Sequence, residues 1–221
     1  MTGRAPDTPE ALGSLLREAA AELGVALSPN QVGQFLTFLA ELRAWSAKVS
    51  LTAIRAPRDI ILKHFADSLA ALPHLRGCGS LLDVGSGPGL PGLALKIASP
   101  GLRLVSVEGR RRKVSFQEHV IRRLGLEGVE VIWGRLTPRC RLLPAASVEC
   151  AISRALETRA FLEAAAPFVA PGGRLLAMKG RPERAAQPPT PPGLELTERV
   201  GLRLPVTGDE RTLLVFTKLK V

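Results

Sequence analysis

Apolar positions in the first 75 residues recur at helical spacing. Thr8-Pro9-Glu10 opens a helix with Leu12, Leu15, Leu16, Ala19 and Leu23 on one face, and Gly24 ends it. Ser28-Pro29-Asn30-Gln31 reads as a capping box with proline at the first helical position. Val32, Phe35, Leu36, Leu39, Leu42 and Trp45 then form the stripe of a second helix. Pro57 opens a third, carrying Ile60, Ile61, His64, Phe65, Ser68, Leu69 and Leu72. From residue 80 the period changes. Short apolar runs predict strands at Ser80–Val84, Arg103–Val107, Val129–Trp133, Val148–Ser153 and Arg174–Lys179. Helices are predicted between them at Gly89–Ala98, Arg110–Leu124 and Leu156–Val169. Such alternation predicts an α/β fold with a mostly parallel sheet covered on both faces. Leu194–Leu204 and Thr212–Leu219, joined by a turn at Gly208-Asp209, predict a terminal antiparallel pair. The chain thus divides into a helical extension, residues 1–75, and an α/β domain, residues 76–221. A proline-rich connection occupies 182–193.

Composition narrows the function classes. The chain has 221 residues, 46% of them hydrophobic, enough to fold around a core of its own. No stretch approaches the roughly 20 unbroken apolar residues that span a bilayer. The first seven residues have no apolar core of a secretion signal. Cys78, Cys140 and Cys150 are odd in number and lack metal-ligand spacing. The expectation is therefore free thiols, no metal, no membrane and a reducing cytoplasm.

The formal charge of +10 is unevenly spread. Residues 1–75 carry seven basic and seven acidic side chains, whereas residues 101–160 carry twelve against six. The surplus peaks at Arg110-Arg111-Arg112-Lys113, Arg122-Arg123 and Arg135, Arg139 and Arg141. A local surplus of this kind fits a polyanion partner or a solvated face, and charge alone does not choose between them. The nine aromatic residues sit mostly at apolar helical spacing and read as core. Any stacking on nucleic acid is therefore expected to fall to arginine planes.

The most specific element is Asp83-Val84-Gly85-Ser86-Gly87-Pro88-Gly89-Leu90-Pro91-Gly92, a strand running through a glycine turn into a helix. Such turns let a nucleotide approach the backbone at the carboxyl end of the first strand. Gly87, Gly89 and Gly92 satisfy G-x-G-x-x-G, so an NAD-dependent oxidoreductase stays open. Glu108, closing the next strand, suits the ribose of either cofactor. Two details favour S-adenosylmethionine. Asp83 before the first glycine gives D-x-G-x-G-x-G, which resembles motif I of class I methyltransferases. Val169-Ala170-Pro171-Gly172-Gly173-Arg174-Leu175-Leu176 resembles the turn before their fifth strand.

Four blocks spanning about residues 45–180 make the resemblance narrower. They are Val49–Ile54 with His64–Leu69, the glycine turn, Ile152-Ser153-Arg154-Ala155, and Leu176-Ala177-Met178-Lys179-Gly180. Together they resemble the RsmG family (glucose-inhibited division protein B), the guanine-N7 methyltransferases of bacterial 16S rRNA. The resemblance implies a class I, Rossmann-like methyltransferase acting on one guanosine near the decoding region. Its partner would be 16S rRNA or the small ribosomal subunit, including assembly intermediates. Gly85, Gly87 and Leu90, together with Asp83, would form the cofactor turn; Glu108 would hold the ribose, and Leu136 and Thr137 would sit at the adenine. Arg154 would be the positioning arginine near the reacting atoms. The sequence departs from the family's usual Asp at Glu108, from a usual carboxylate at Thr137 and from a usual Asn at Ser50.

Guanine N7 carries a free lone pair, so methyl transfer to it requires no general base. The absence of an evident catalytic dyad is consistent with activity. His64, Asp67 and Ser68, at i, i+3 and i+4, are expected on one helix face, bordering the cofactor or packing the helix on the sheet. Candidate RNA contacts are these three residues with Arg110, Arg111, Arg112, Lys113 and Lys179. A non-catalytic RNA-binding module is the remaining alternative.

Overall fold

The computed structural model of the chain describes residues 7–180 and 190–220. Helix α1 (Pro9–Glu22) is capped by the Thr8 hydroxyl, which accepts from Ala11 N. Helix α2 (Pro29–Ser46) starts with the predicted capping box: Ser28 Oγ accepts from Gln31 N, and Gln31 Oε1 accepts from Ser28 N. The third helical stretch is not one regular helix. It runs as α3 (Pro57–Ile60), a π-helical segment Ile61–Ala66 and α4 (Asp67–Leu69), followed by a 3₁₀ turn at Leu72–Leu75. The wider turn rotates the residues after His64 relative to a 3.6-residue helix.

Seven strands follow: β1 (Ser80–Val84), β2 (Arg103–Glu108), β3 (Val129–Trp133), β4 (Val148–Ser153), β5 (Val169–Lys179), β6 (Leu194–Arg203) and β7 (Glu210–Lys218). They form one sheet in the order β3-β2-β1-β4-β5-β7-β6. Strands β1 to β5 pair in parallel, while β7 runs antiparallel to both β5 and β6. The predicted antiparallel close is present. Helices α5 (Gly92–Ala98), α6 (Arg111–Leu124) and α7 (Thr158–Ala165) make the crossovers. Helix α5 begins later than the predicted Gly89 because Gly89 sits at φ +89°, outside the helical region. Strand β5 absorbs Pro171-Gly172-Gly173, which reads as a turn in sequence, through a register irregularity opposite Val148 and Cys150. Most of the 182–193 connection lies outside the described residues.

Two apolar clusters cover the sheet. One joins Leu16, Phe35, Phe38 and Phe65 of the N-terminal helices to Leu81, Ile152, Leu176 and Val215 of the strands. The other packs Phe161, Leu162 and Phe168 against Leu82, Val105 and Phe216. The helices that precede the sheet therefore share its core, and their C-terminal end is held against the loop after β4 and against β7.

The expectation of free thiols fails at one pair. Cys78 and Cys150 are joined as a disulfide, while Cys140 is free. An odd count says nothing of which strands are neighbours; Cys150 faces Leu81 in the β1–β4 pairing, three residues from Cys78. Among the described residues no helix is long and apolar enough to cross a membrane. No group of three His, Cys, Asp or Glu there could hold a metal ion.

Candidate active site

The glycine turn leaves the carboxyl end of β1 and is fixed from below. Gly85 N and Ser86 N donate to Val107 O of β2 at 2.9 and 3.3 Å. Asp83 is buried, and its Oδ2 accepts from Gly92 N at 2.8 Å, anchoring the start of α5. Glycine is required at 92 because a Cβ there would stand 2.6 Å from that same Oδ2. The Oδ1 atom of Asp83 has no partner, and burial pushes the carboxyl up to about 7. Asp83 thus supports the turn from within.

Glu108, at the end of β2, is buried beside the turn. Its Oε2 accepts from Gly87 N and its Oε1 from Arg110 N, both at 2.8 Å. Gln117 of α6 completes the frame, a role that no local pattern marks. Its amide nitrogen donates to Ser86 Oγ and Gly87 O at 2.8 Å, and its oxygen accepts from Ser106 Oγ at 2.7 Å. The Leu90 side chain lies in the core, so only its backbone is presented at the turn. Leu136 and Thr137 follow β3; Leu136 packs partly buried on the α7 side, and Thr137 is exposed.

From β4 comes the second half of the site. Ser153 Oγ donates to Val84 O at 2.9 Å, locking the ends of β4 and β1 together. The following loop lays Leu156 against Gly85, and Lys179 Nζ donates to Leu156 O at 3.2 Å. Arg154 turns toward the N-terminal helices. Its Nη1 is 3.3 Å from Asp67 Oδ2, and its Nη2 is 3.4 Å from His64 Nδ1. Because a guanidinium only donates, His64 Nδ1 accepts, and Nε2–H is directed to Thr52 Oγ1 at 2.7 Å. Burial, reinforced by Arg154, lowers the His64 pKa to about 4, so the ring is neutral at physiological pH. The other oxygen of Asp67 accepts from Arg211 Nε of β7 at 2.9 Å.

His64, Asp67, Arg154 and Lys179 therefore converge. Together with Lys63, Arg211, Met178 and Leu213 they line a cleft of about 240 Å³ at the carboxyl ends of β4 and β5. One carboxylate faces four basic side chains there. Ser68 does not join them: it is fully buried, and its hydroxyl donates to His64 O at 2.6 Å. Arg110, Arg111, Arg112 and Lys113 stand apart, at the β2–α6 corner beyond Glu108.

Comparison with known proteins follows the same lines. The family model described as rRNA small subunit methyltransferase G matches residues 31–210. The chain belongs to that family. Ribosomal RNA small subunit methyltransferase G of Geobacter sp. (strain M21) is 40% identical over 207 residues, 91% of this chain and 95% of its own. The Myxococcus xanthus protein of the same name is 39% identical over 202 residues, 89% and 92% of the two chains. Among solved structures, a SAM-dependent methyltransferase from Aquifex aeolicus superposes with a TM-score of 0.56 at 18% identity, over 74% of this chain and 94% of that one. That likeness establishes the class I methyltransferase fold, and the family sets aside an oxidoreductase reading of the glycine turn.

The donor set at the turn fits a nucleoside. A carboxylate offers about four acceptor positions, of which Glu108 uses two on backbone N–H groups. Two remain for a pair of ribose hydroxyls. The longer Glu arm still places its oxygens at the turn.

Proposed function

We propose that this protein transfers a methyl group from S-adenosylmethionine to N7 of a guanosine in 16S rRNA. When bound, the cofactor supplies an electrophilic methyl on a sulfonium. Glu108 holds the ribose, the backbone at Gly85, Gly87 and Leu90 receives the methionyl side, and Leu136 with Thr137 borders the adenine. The observation that carries the reading is the position of Arg154. It leaves the strand end next to the glycine turn and points into the cationic cleft.

The residues in that cleft suit positioning and not proton removal. Arg154 stays protonated, and His64 is neutral with both ring nitrogens engaged. Neither is needed as a base, since N7 attacks through its free lone pair. The cleft's basic groups, Lys63, Arg154, Lys179 and Arg211, receive the phosphate and the carbonyl edge of the guanosine. In A-form RNA the major groove that carries N7 is deep and narrow, so the target enters unpaired. The reaction belongs in the cytoplasm, on the small ribosomal subunit or a precursor of it.

Comparing 16S rRNA from a strain lacking the gene with the parent, by nucleoside mass spectrometry, tests this. Loss of one 7-methylguanosine is expected. Unchanged 7-methylguanosine contradicts the reading.

A further inference from the structure

Most aromatic side chains are interior, as their spacing predicts, but Trp133 is not. It ends β3, an edge strand of the sheet, and its side chain is 58% exposed. Single exposed apolar residues are ordinary on protein surfaces. This one is held in place. Its Nε1–H donates to Gly109 O at 3.1 Å, so the polar end of the indole is engaged by the protein's own backbone. The Arg111 guanidinium lies over the ring at 5.2 Å from its centroid. Exposed Arg110, Arg112 and Arg135 are sequence neighbours of the pair, and Arg135 packs its stem on Gly109. Lys113 Nζ reaches toward Gly87, between this corner and the glycine turn.

We infer that Trp133 and Arg111 form a stacking platform for an unpaired base of the RNA, outside the methyl-transfer cleft. A fixed indole offers a π-face that any base can use, and the surrounding arginines neutralise the flanking phosphates. An acidic peptide would satisfy the arginines and leave the ring unused. An unpaired nucleotide satisfies both. The corner lies past the ends of β2 and β3, whereas the cleft lies at the ends of β4 and β5, on the other side of β1. The RNA is then gripped at two points, with the glycine turn between them.

This inference rests on RNA being the substrate, and its test separates the two claims. The full-length protein and its Trp133→Ala and Trp133→Phe variants are assayed for methyl transfer to 16S rRNA. Cofactor affinity is measured by calorimetry, and tryptophan quenching is followed with a single-stranded oligoribonucleotide. The platform predicts a KM for rRNA raised about tenfold in Trp133→Ala. It predicts kcat and cofactor affinity within about twofold, most of the loss recovered by Trp133→Phe, and quenching in wild type that Trp133→Phe removes. An unchanged KM overturns the platform. So does a loss of cofactor affinity, which would make Trp133 a wall of the adenine site. Quenching without methyl transfer by the wild-type protein would keep the platform and reject the substrate reading.

Discussion

Arg211 Nε donates to Asp67 Oδ1 at 2.9 Å, although the two residues are 144 positions apart in the chain. With Arg154 on its other oxygen, Asp67 ties β7, the loop after β4 and the start of α4 together around one cleft. The carboxylate is 8% exposed, and each arginine about a fifth. Removing it takes from Arg154 its carboxylate partner and leaves Arg211 with Asp209, at 3.5 Å.

Asp67→Ala is therefore expected to destabilise the fold by about 3 kcal/mol, the low end for a broken buried pair, because both arginines keep some solvent. A double-mutant cycle with Arg211→Ala should give a coupling of about 1–3 kcal/mol in urea denaturation. A coupling near zero would show that the contact contributes only shape.

Gln117→Leu keeps volume and removes three hydrogen bonds. Ser86 Oγ, Gly87 O and Ser106 Oγ would lose their partner in a buried frame. The expected loss is about 2–4 kcal/mol of stability, together with weaker cofactor binding as the turn loosens. Urea denaturation reads the first and isothermal titration calorimetry the second. Full cofactor affinity in a destabilised variant would mean that the turn holds its shape without α6.

Glu108→Ala should weaken S-adenosylmethionine binding about 10- to 100-fold, the range for hydrogen bonds to a charged group. Glu108→Asp should retain most of the affinity. Unchanged affinity in Glu108→Ala would place the ribose elsewhere.

Two buried groups give opposite pH trends. Asp83 is raised from 3.8 to about 7, so its contribution to stability is full below pH 3.8 and is lost as pH rises through 7. His64 is lowered from 6.5 to about 4, so its contribution is full above pH 6.5 and is lost as pH falls through 4. Denaturation of the wild type against Asp83→Asn should show a stability difference that falls with rising pH. Against His64→Gln, the difference should rise with pH. A reversed sign for either would contradict its burial as the cause.

Much of the site is legible in sequence, and the reasons differ by residue. The strand, glycine turn and acid at 80–108 are local, so their spacing alone positions Asp83, Gly85, Gly87 and Glu108. His64 and Asp67 are legible as a pair, but Ser68 is misplaced because a 3.6-residue period hides the π-helical turn. Arg211 is invisible locally, since only the antiparallel docking of β7 beside β5 brings it to Asp67. Trp133 reads as an ordinary apolar strand residue. Its exposure follows from β3 lying at the edge, which is a property of strand order and not of the strand.

The central claim is tested most directly by incubating the purified protein with methyl-labelled S-adenosylmethionine and either 30S subunits or naked 16S rRNA, then mapping the labelled base. The account predicts label on N7 of a single guanosine in at least one of these substrates. Label on another base atom or on ribose, or no transfer to either substrate, would contradict it.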